Sequence, residues 1–130
     1  MTLPALVAVF LGSGVGGCLR YMIGLATRAL LGTRVAAPWA ALAGTAAVNF
    51  VGSLLLVLAL TRFDRSSVDA ATLRLALTTG LLGGFTTYST FNAESFSLLQ
   101  GGRYAEATGY LAGTVALCLL GGWLGYRLGS

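Results

Sequence analysis

The chain has 130 residues, of which 56% are hydrophobic and 9% are charged, and its mean hydropathy is +0.83. About a quarter of the residues in soluble domains are charged, so this composition excludes a soluble fold and predicts a membrane protein. The formal charge of +4 rests on eight arginines that stand mostly at the ends of apolar runs, and this spacing excludes the dense basic stripe of a nucleic-acid-binding protein.

An enzyme is not expected either. The chain has no histidine, the usual general base and the commonest metal ligand. Its two cysteines, Cys18 and Cys118, stand alone in apolar segments a hundred residues apart, so neither a disulfide framework nor a zinc site is indicated.

The apolar residues predict an all-α domain over 1–130 with four membrane crossings. The first run is longer than a signal peptide and lacks a basic start, so we expect it to be retained as a span. The charged stretch from Arg62 to Arg74 is the one predicted loop of any length. The predicted spans are Leu3–Leu31, Trp39–Thr61, Leu73–Leu99 and Tyr104–Leu128.

The first two spans each hold one notable polar side chain. Arg20 is the only arginine well inside the first span, where a charge either marks an ion pathway or reaches an interface with its long side chain. Asn49 is the single amide of the second span, and Thr45 precedes it by one turn. The Asn49 amide is able to donate two hydrogen bonds to an anion in a dry pore, or to hold a neighbouring helix.

The middle of the third span predicts a broken helix. Two glycines, four hydroxyl residues, an amide and a carboxylate follow one another between Gly83 and Ser95. Such groups persist at that depth only against protein or a water-filled cavity. A break exposes carbonyls that suit a cation and N–H groups that suit an anion. The alternative is a continuous helix whose hydroxyls bond back to the preceding turn.

Aromatic residues recur every three positions along this stretch, at Phe85, Tyr88 and Phe91, which predicts a shared face. Ring edges are positive, so such a row either attracts an anion weakly or packs as ordinary core. Glu94 follows, and we expect its carboxylate to be turned away from the path, hydrogen-bonded or protonated. In the fourth span, Tyr110, Thr114 and Cys118 share one face, which is a weak indication of a polar lining.

The glycines predict close helix packing. Four pairs are spaced four residues apart, a spacing that lets helix backbones approach closely in lipid. The pairs are Gly12 with Gly16, Gly80 with Gly84, Gly109 with Gly113, and Gly121 with Gly125.

The arginines also bear on orientation. Four crossings put four arginines on one side of the membrane (Arg62, Arg65, Arg74, Arg127) and three on the other (Arg28, Arg34, Arg103). Because the count of basic residues sets the direction of insertion, this balance predicts dual topology and an antiparallel pair of chains. The alternative is one orientation, since counts in small loops are noisy.

Three motifs resemble the Fluc, or CrcB, fluoride channels. Gly83–Phe91 (GGFTTYSTF) closely matches the family's GGxTTFSTF box, Gly44–Gly52 (GTAAVNFVG) is similar to its GTxxVNxxG segment, and Gly12–Tyr21 (GSGVGGCLRY) to its glycine-rich first helix. The resemblance covers the first three spans in order and implies four helices, the third of them broken, in an antiparallel homodimer with two pores.

The resemblance also implies roles for particular residues. Asn49 would coordinate fluoride, Tyr88 and Phe91 would line the pores edge-on, and Arg20 would make the vestibule electropositive. Tyr110 and Thr114 fit the family's hydroxyl track. A structural sodium ion would bind the backbone carbonyls of Gly83 and Thr86 from both chains.

Three positions depart from the family's pattern. Tyr88 stands where phenylalanine is usual, so a hydroxyl enters the row of rings. Ser53, Leu54 and Leu55 follow Gly52 without the phenylalanine often found there, and Cys118 replaces an expected serine.

The resulting hypothesis is a passive fluoride channel of the cell membrane that releases cytoplasmic fluoride down its gradient. The alternative is a small four-helix dual-topology exporter of drugs or cations. An exporter needs an ionisable carboxylate deep in a span, and Glu94 is the only candidate.

Overall fold

Helices form nearly all of the chain that this computed structural model describes, namely residues 2–32, 37–63 and 68–130. Three helices there have the length and hydropathy to cross a membrane: Leu3–Leu31, Trp39–Arg62 and Tyr104–Gly129. The predicted first, second and fourth spans are therefore confirmed to within a few residues. The helices are α1 (Leu3–Leu31), α2 (Ala37–Arg62), α3 (Val68–Leu75), a π-helical segment (Ala76–Leu82), α4 (Gly83–Phe85), α5 (Tyr88–Gln100) and α6 (Tyr104–Gly129).

The predicted loop Arg62–Arg74 is wrong over its second half. Helix α3 begins at Val68, five residues before the predicted start of the third span. Alanine, leucine and arginine are strong helix formers, and no glycine or proline interrupts 68–74, so charge alone does not prevent a helix there. Residues 64–67, including Arg65, and Arg34 in the first connection lie outside the described residues.

The third segment is broken at the predicted place. After α4, Thr86 has φ −75° and ψ 158°, and Thr87 has φ −149° and ψ 109°. These are extended conformations, and two consecutive extended residues end one helix before α5 begins. The broken-helix prediction is confirmed, and the alternative of a continuous helix is wrong.

Glycines bring α1 into backbone contact with the broken segment. A Cβ at Gly16 would overlap the Leu81 carbonyl and lie 2.8 Å from the Phe85 nitrogen. In the other direction, a Cβ at Gly84 would lie 2.8 Å from the Ser13 Cα. Side chains at these two positions would separate the helices, so the predicted close packing is confirmed for this pair of elements.

The other two glycine pairs behave differently from each other. On α6, a Cβ at Gly121 would lie 2.7 Å from the Phe50 carbonyl oxygen, and one at Gly125 would overlap the Leu54 carbonyl of α2. A Cβ at Gly109 or Gly113 would meet no atom within 4 Å. Gly109 and Gly113 therefore make no close packing contact with the described residues of this chain.

Large apolar side chains point outward. Phe10 of α1 is 77% exposed, and Gly16 is the only residue of that helix that is buried. The buried side chains of the described part of the chain are partly polar (Thr45, Asn49, Thr78, Thr87, Ser95 and Thr114) and partly apolar (among them Leu82, Phe85 and Phe91), and Leu42, Leu98 and Ala107 form a modest apolar cluster. An apolar exterior is expected of a protein surrounded by lipid, where packing of small residues replaces the hydrophobic effect.

Candidate functional site

Asn49 spans the break. Its Nδ2 donates to the Thr87 carbonyl at 3.0 Å, and the Thr87 backbone N–H donates to its Oδ1 at 2.8 Å. Both residues are buried. The side chain therefore supplies the two hydrogen bonds that Thr87 would make in regular structure, and we call this pair the Asn49–Thr87 brace.

The brace leaves a backbone carbonyl without its helical hydrogen bond at the end of the first half-helix. In a continuous helix the Thr87 N–H would bond to the carbonyl of Gly83, four residues earlier. Since that N–H is committed to Asn49, the Gly83 carbonyl lacks its helical partner. Gly83 is also exposed in the single chain.

Thr87 also begins the second half-helix. Its Oγ1 accepts from the backbone N–H of Thr90 at 3.2 Å, which is the geometry of a helix N-cap, and donates to the Thr90 hydroxyl at 2.9 Å. The start of α5 is thus fixed both by its own cap and by the brace to α2. This double role of Thr87 was not predicted from the sequence. A threonine just ahead of a helix that contains the apolar Phe91 is a common N-cap pattern, and this pattern could have revealed the capping role.

A cavity of about 660 Å³ lies on one side of the brace. The structure brings Asn49, Tyr88, Phe91 and Thr114 together in its wall, and Cys118 joins them. Thr114 is only 4% exposed. Ser53 and Trp123 line the same cavity and were not predicted as site residues.

Three aromatic rings form a row beside this cavity. The ring centroids of Tyr88 and Phe91 are 5.9 Å apart with a 59° tilt, and those of Phe91 and Tyr110 are 5.3 Å apart with a 56° tilt. Tilted rings turn edges toward their neighbours, which is the preferred geometry of aromatic pairs. Phe85 is not in this row: it is buried near Gly52, because the break separates it from the helical register of Tyr88.

Tyr110, the last ring of the row, was predicted to line the pore but does not line this cavity. It contacts a carboxylate instead. Its hydroxyl donates to Glu94 Oε2 at 2.7 Å, and the Thr45 hydroxyl donates to Glu94 Oε1 at 3.0 Å. The expectation that Glu94 is hydrogen-bonded is confirmed. Its partner Thr45 had been singled out only for its place one turn before Asn49.

A second cavity, of about 510 Å³, lies on the other side of the brace. Thr87 and Glu94 line it, and α1 contributes both Arg20 and Arg28. The predicted vestibule residue Arg20 therefore does face a cavity that reaches the break. We call this space the arginine cavity.

The brace borders both cavities, since Asn49 lines the first and Thr87 lines the arginine cavity. One of the two N–H donors of the Asn49 amide is used by Thr87, so the other remains for a ligand. Coordination of an anion by Asn49 stays a prediction that this geometry permits.

Among the described residues, no group of three or more histidine, cysteine or acidic side chains could hold a metal ion. Backbone carbonyls are the other common ligands of such ions, and the Gly83 carbonyl lacks its helical partner because of the brace. Carbonyl oxygens suit hard cations, so the residues present are compatible with the predicted sodium site at Gly83 and Thr86.

Comparison with known proteins gives consistent matches along the chain. The profile of the family described as CrcB-like protein, Camphor Resistance (CrcB), matches residues 7–126. The fluoride-specific ion channel FluC of Geobacter sulfurreducens is 43% identical over 126 residues, which is 96% of this chain and 94% of that protein. FluC of Chloroflexus aurantiacus strain J-10-fl is 43% identical over 95% of this chain and 94% of its own length. FluC of Phocaeicola vulgatus is 40% identical over 95% and 96%. The chain therefore belongs to the CrcB-like family.

Proposed function

We propose that this chain forms a passive, fluoride-selective channel in the cell membrane. The observation that carries the proposal is the set of family relatives, about 40% identical along almost the whole chain, that are named fluoride-specific ion channels. The described spans fit a protein that crosses the membrane several times.

The site has the chemistry that anion conduction requires. Asn49 offers one N–H donor, and the tilted rings of Tyr88 and Phe91 offer weakly positive edges. Neither group carries a full charge, so an anion bound there is able to leave, as conduction demands. The charge that attracts anions is supplied by Arg20, on the other side of the brace.

The proposed assembly is an antiparallel homodimer of chains with four crossings each. Its support is the polar surface at the break: Tyr88 is 77% exposed in the single chain, and Ser89 and Thr90 are exposed beside it. Exposed hydroxyls and irregular backbone are not stable against lipid, so another protein surface has to cover them. A second copy in the opposite orientation would do so and would complete two pores.

The proposed cofactor is a structural sodium ion shared by the two breaks. The carbonyls of Gly83 and Thr86 from both chains would hold it. The ion would supply a fixed positive charge at the centre of the dimer and tie the two chains together. This proposal is supported by the loss of the helical hydrogen bond to Gly83.

The channel proposal is favoured over the exporter. Proton-coupled export would use Glu94, whose two carboxylate oxygens accept hydrogen bonds from Thr45 and Tyr110. The names of the relatives favour a channel, in which Glu94 orients hydroxyls and does not carry protons.

The test is flux from liposomes loaded with equal fluoride and chloride, measured with ion-selective electrodes. We expect fluoride efflux without a proton gradient and no comparable chloride efflux. Phe91→Ile and Asn49→Asp should abolish fluoride efflux while the protein still elutes as a dimer. Equal fluoride and chloride efflux, or efflux that needs a proton gradient, would contradict the proposal.

A further inference from the structure

The arginine cavity contains a second arginine that has no assigned role. Arg28 stands in the last turn of α1, eight residues after Arg20, and lines the same cavity. Eight residues are about two helical turns, so both side chains lie on one face of α1, about 12 Å apart along its axis. Gly24 lies between them on the same face.

Glycines keep the space between the two arginines open. A Cβ at Gly24 would meet no described atom within 4 Å, so the space beside this position of α1 is open. Gly44 of α2 lines the opposite wall. The cavity therefore extends from the end of α1, where Arg28 stands, past Arg20 to Thr87 of the brace.

Among the described side chains, no carboxylate is paired with Arg28. Glu94 is the one carboxylate among the described residues that line the cavity, and it accepts hydrogen bonds from Thr45 and Tyr110. At the same end of the helices, Glu106 is paired with Arg103. In the sequence, the stretch 33–36 that follows α1 contains Arg34 and no acidic residue, and Asp64 and Asp69 come after the C-terminal end of α2.

We propose that Arg28 is the capture residue of the channel: it draws fluoride from the aqueous phase into the arginine cavity and delivers it to Arg20. The inference rests on the proposed fluoride channel and adds a residue to it. A cleft with a net positive charge between low-dielectric walls concentrates anions and speeds their entry, and in this cavity the two arginines outnumber the single carboxylate Glu94 among the described lining residues. Arg28 stands where this entry begins, whereas Arg20 and Asn49 act deeper.

This role has a signature that a merely structural arginine lacks. The Debye length is about 30 Å at 0.01 M salt and about 3 Å at 1 M, so a charge that acts through space loses its effect as salt is added. An arginine that only anchors the end of α1 at the headgroups would instead change stability or yield, and its loss would not give a reduction in single-channel current that disappears as salt is added.

The experiment is single-channel current in neutral phosphatidylcholine bilayers. Fluoride is fixed at a low, non-saturating concentration, and ionic strength is set with the sodium salt of a large organic anion that does not permeate. Neutral lipid avoids the surface potential of anionic headgroups. For Arg28→Gln we expect a current about threefold below the parent at 0.01 M ionic strength and equal to the parent at 1 M.

The other variants separate charge from structure. Arg28→Lys should keep most of the current at low salt because it keeps the charge, and Arg28→Glu should reduce it further than Arg28→Gln. Arg103→Gln is the matched control, since it removes the same charge at the same end of the helices from a side chain outside the cavity lining. The ratio of fluoride to chloride permeability should not change in any Arg28 variant.

Two outcomes would overturn the inference. One is an Arg28→Gln current equal to the parent at 0.01 M, and the other is a reduction of equal size at 0.01 M and 1 M. Both outcomes require that the parent conducts fluoride. A parent that conducts no fluoride would contradict the channel proposal itself, so the two failures are distinguishable.

Discussion

Asn49 of α2 and Thr87 of the broken segment are joined by two hydrogen bonds, one in each direction, between a side-chain amide and a backbone amide. Because both backbone groups of Thr87 are satisfied by Asn49, a non-helical residue is stable in the interior of a membrane protein. The same residue that the sequence offers as an anion ligand is thus also the support of the break.

Asn49→Ala should therefore affect stability as well as conduction. It leaves the N–H and carbonyl of Thr87 without partners, at a cost of about 2–4 kcal/mol. We expect fluoride efflux to be lost and the melting temperature in detergent, followed by circular dichroism, to fall. Asn49→Asp keeps an acceptor for the Thr87 N–H and should melt between the parent and Asn49→Ala. Unchanged melting of Asn49→Ala would show that the brace does not stabilise the fold.

Thr87→Val should weaken the start of α5. The substitution keeps a β-branched shape, which suits the extended backbone, but removes the hydroxyl that caps the Thr90 N–H. Loss of such a cap costs about 1 kcal/mol, so a modest fall in melting temperature is expected. Thr87→Ser keeps the hydroxyl and serves as the matched control. If serine and valine lower the melting temperature equally, the cap is not responsible.

Gly16→Ala should disrupt the contact between α1 and the broken segment. The added methyl would overlap the Leu81 carbonyl, and backbone at both sides would have to move. Overpacking of this kind costs about 1–3 kcal/mol. Gly14→Ala, on the same helix, meets no atom within 4 Å and is the control. The measurement is the melting temperature of each variant, and equal losses at the two positions would contradict the packing described for Gly16.

The Glu94→Gln variant should still conduct fluoride passively. The amide retains an acceptor oxygen for Thr45 or Tyr110, so the local network is only partly lost. We expect reduced but measurable fluoride efflux from liposomes with equal pH on both sides. A proton-coupled exporter would behave differently, because loss of its one carboxylate deep within a predicted span would abolish coupled transport altogether. Complete loss of efflux in a correctly folded Glu94→Gln protein would favour the exporter.

Several elements were predictable from local sequence because their cause is local. The apolar runs that became α1, α2 and α6 exceed the length needed to cross a bilayer, whatever surrounds them. The break was predictable as well, since two glycines and a run of hydroxyl residues in mid-span conflict with a lipid-facing helix. The start of α3 was not, because charged residues favour a loop and a helix end about equally.

Helical spacing did not predict which residues share a face where the backbone is no longer helical. Phe85 was placed with Tyr88 and Phe91 by its spacing of three, but two extended residues intervene and turn it toward Gly52. Spacing was also insufficient for Gly109 and Gly113, which match the other pairs although no neighbour in the described part of the chain approaches them.

The amino-acid sequence by itself determined that this is a membrane protein, where its long helices lie and where the third one stops, because hydropathy, length and the cost of polar groups in lipid act on contiguous residues. Only the tertiary structure decided that Asn49 binds Thr87, that Glu94 lies between Thr45 and Tyr110, and that Arg28 shares a cavity with Arg20. Those contacts join residues from different helices, and their partners depend on how each helix is rotated against the next, which no single segment specifies.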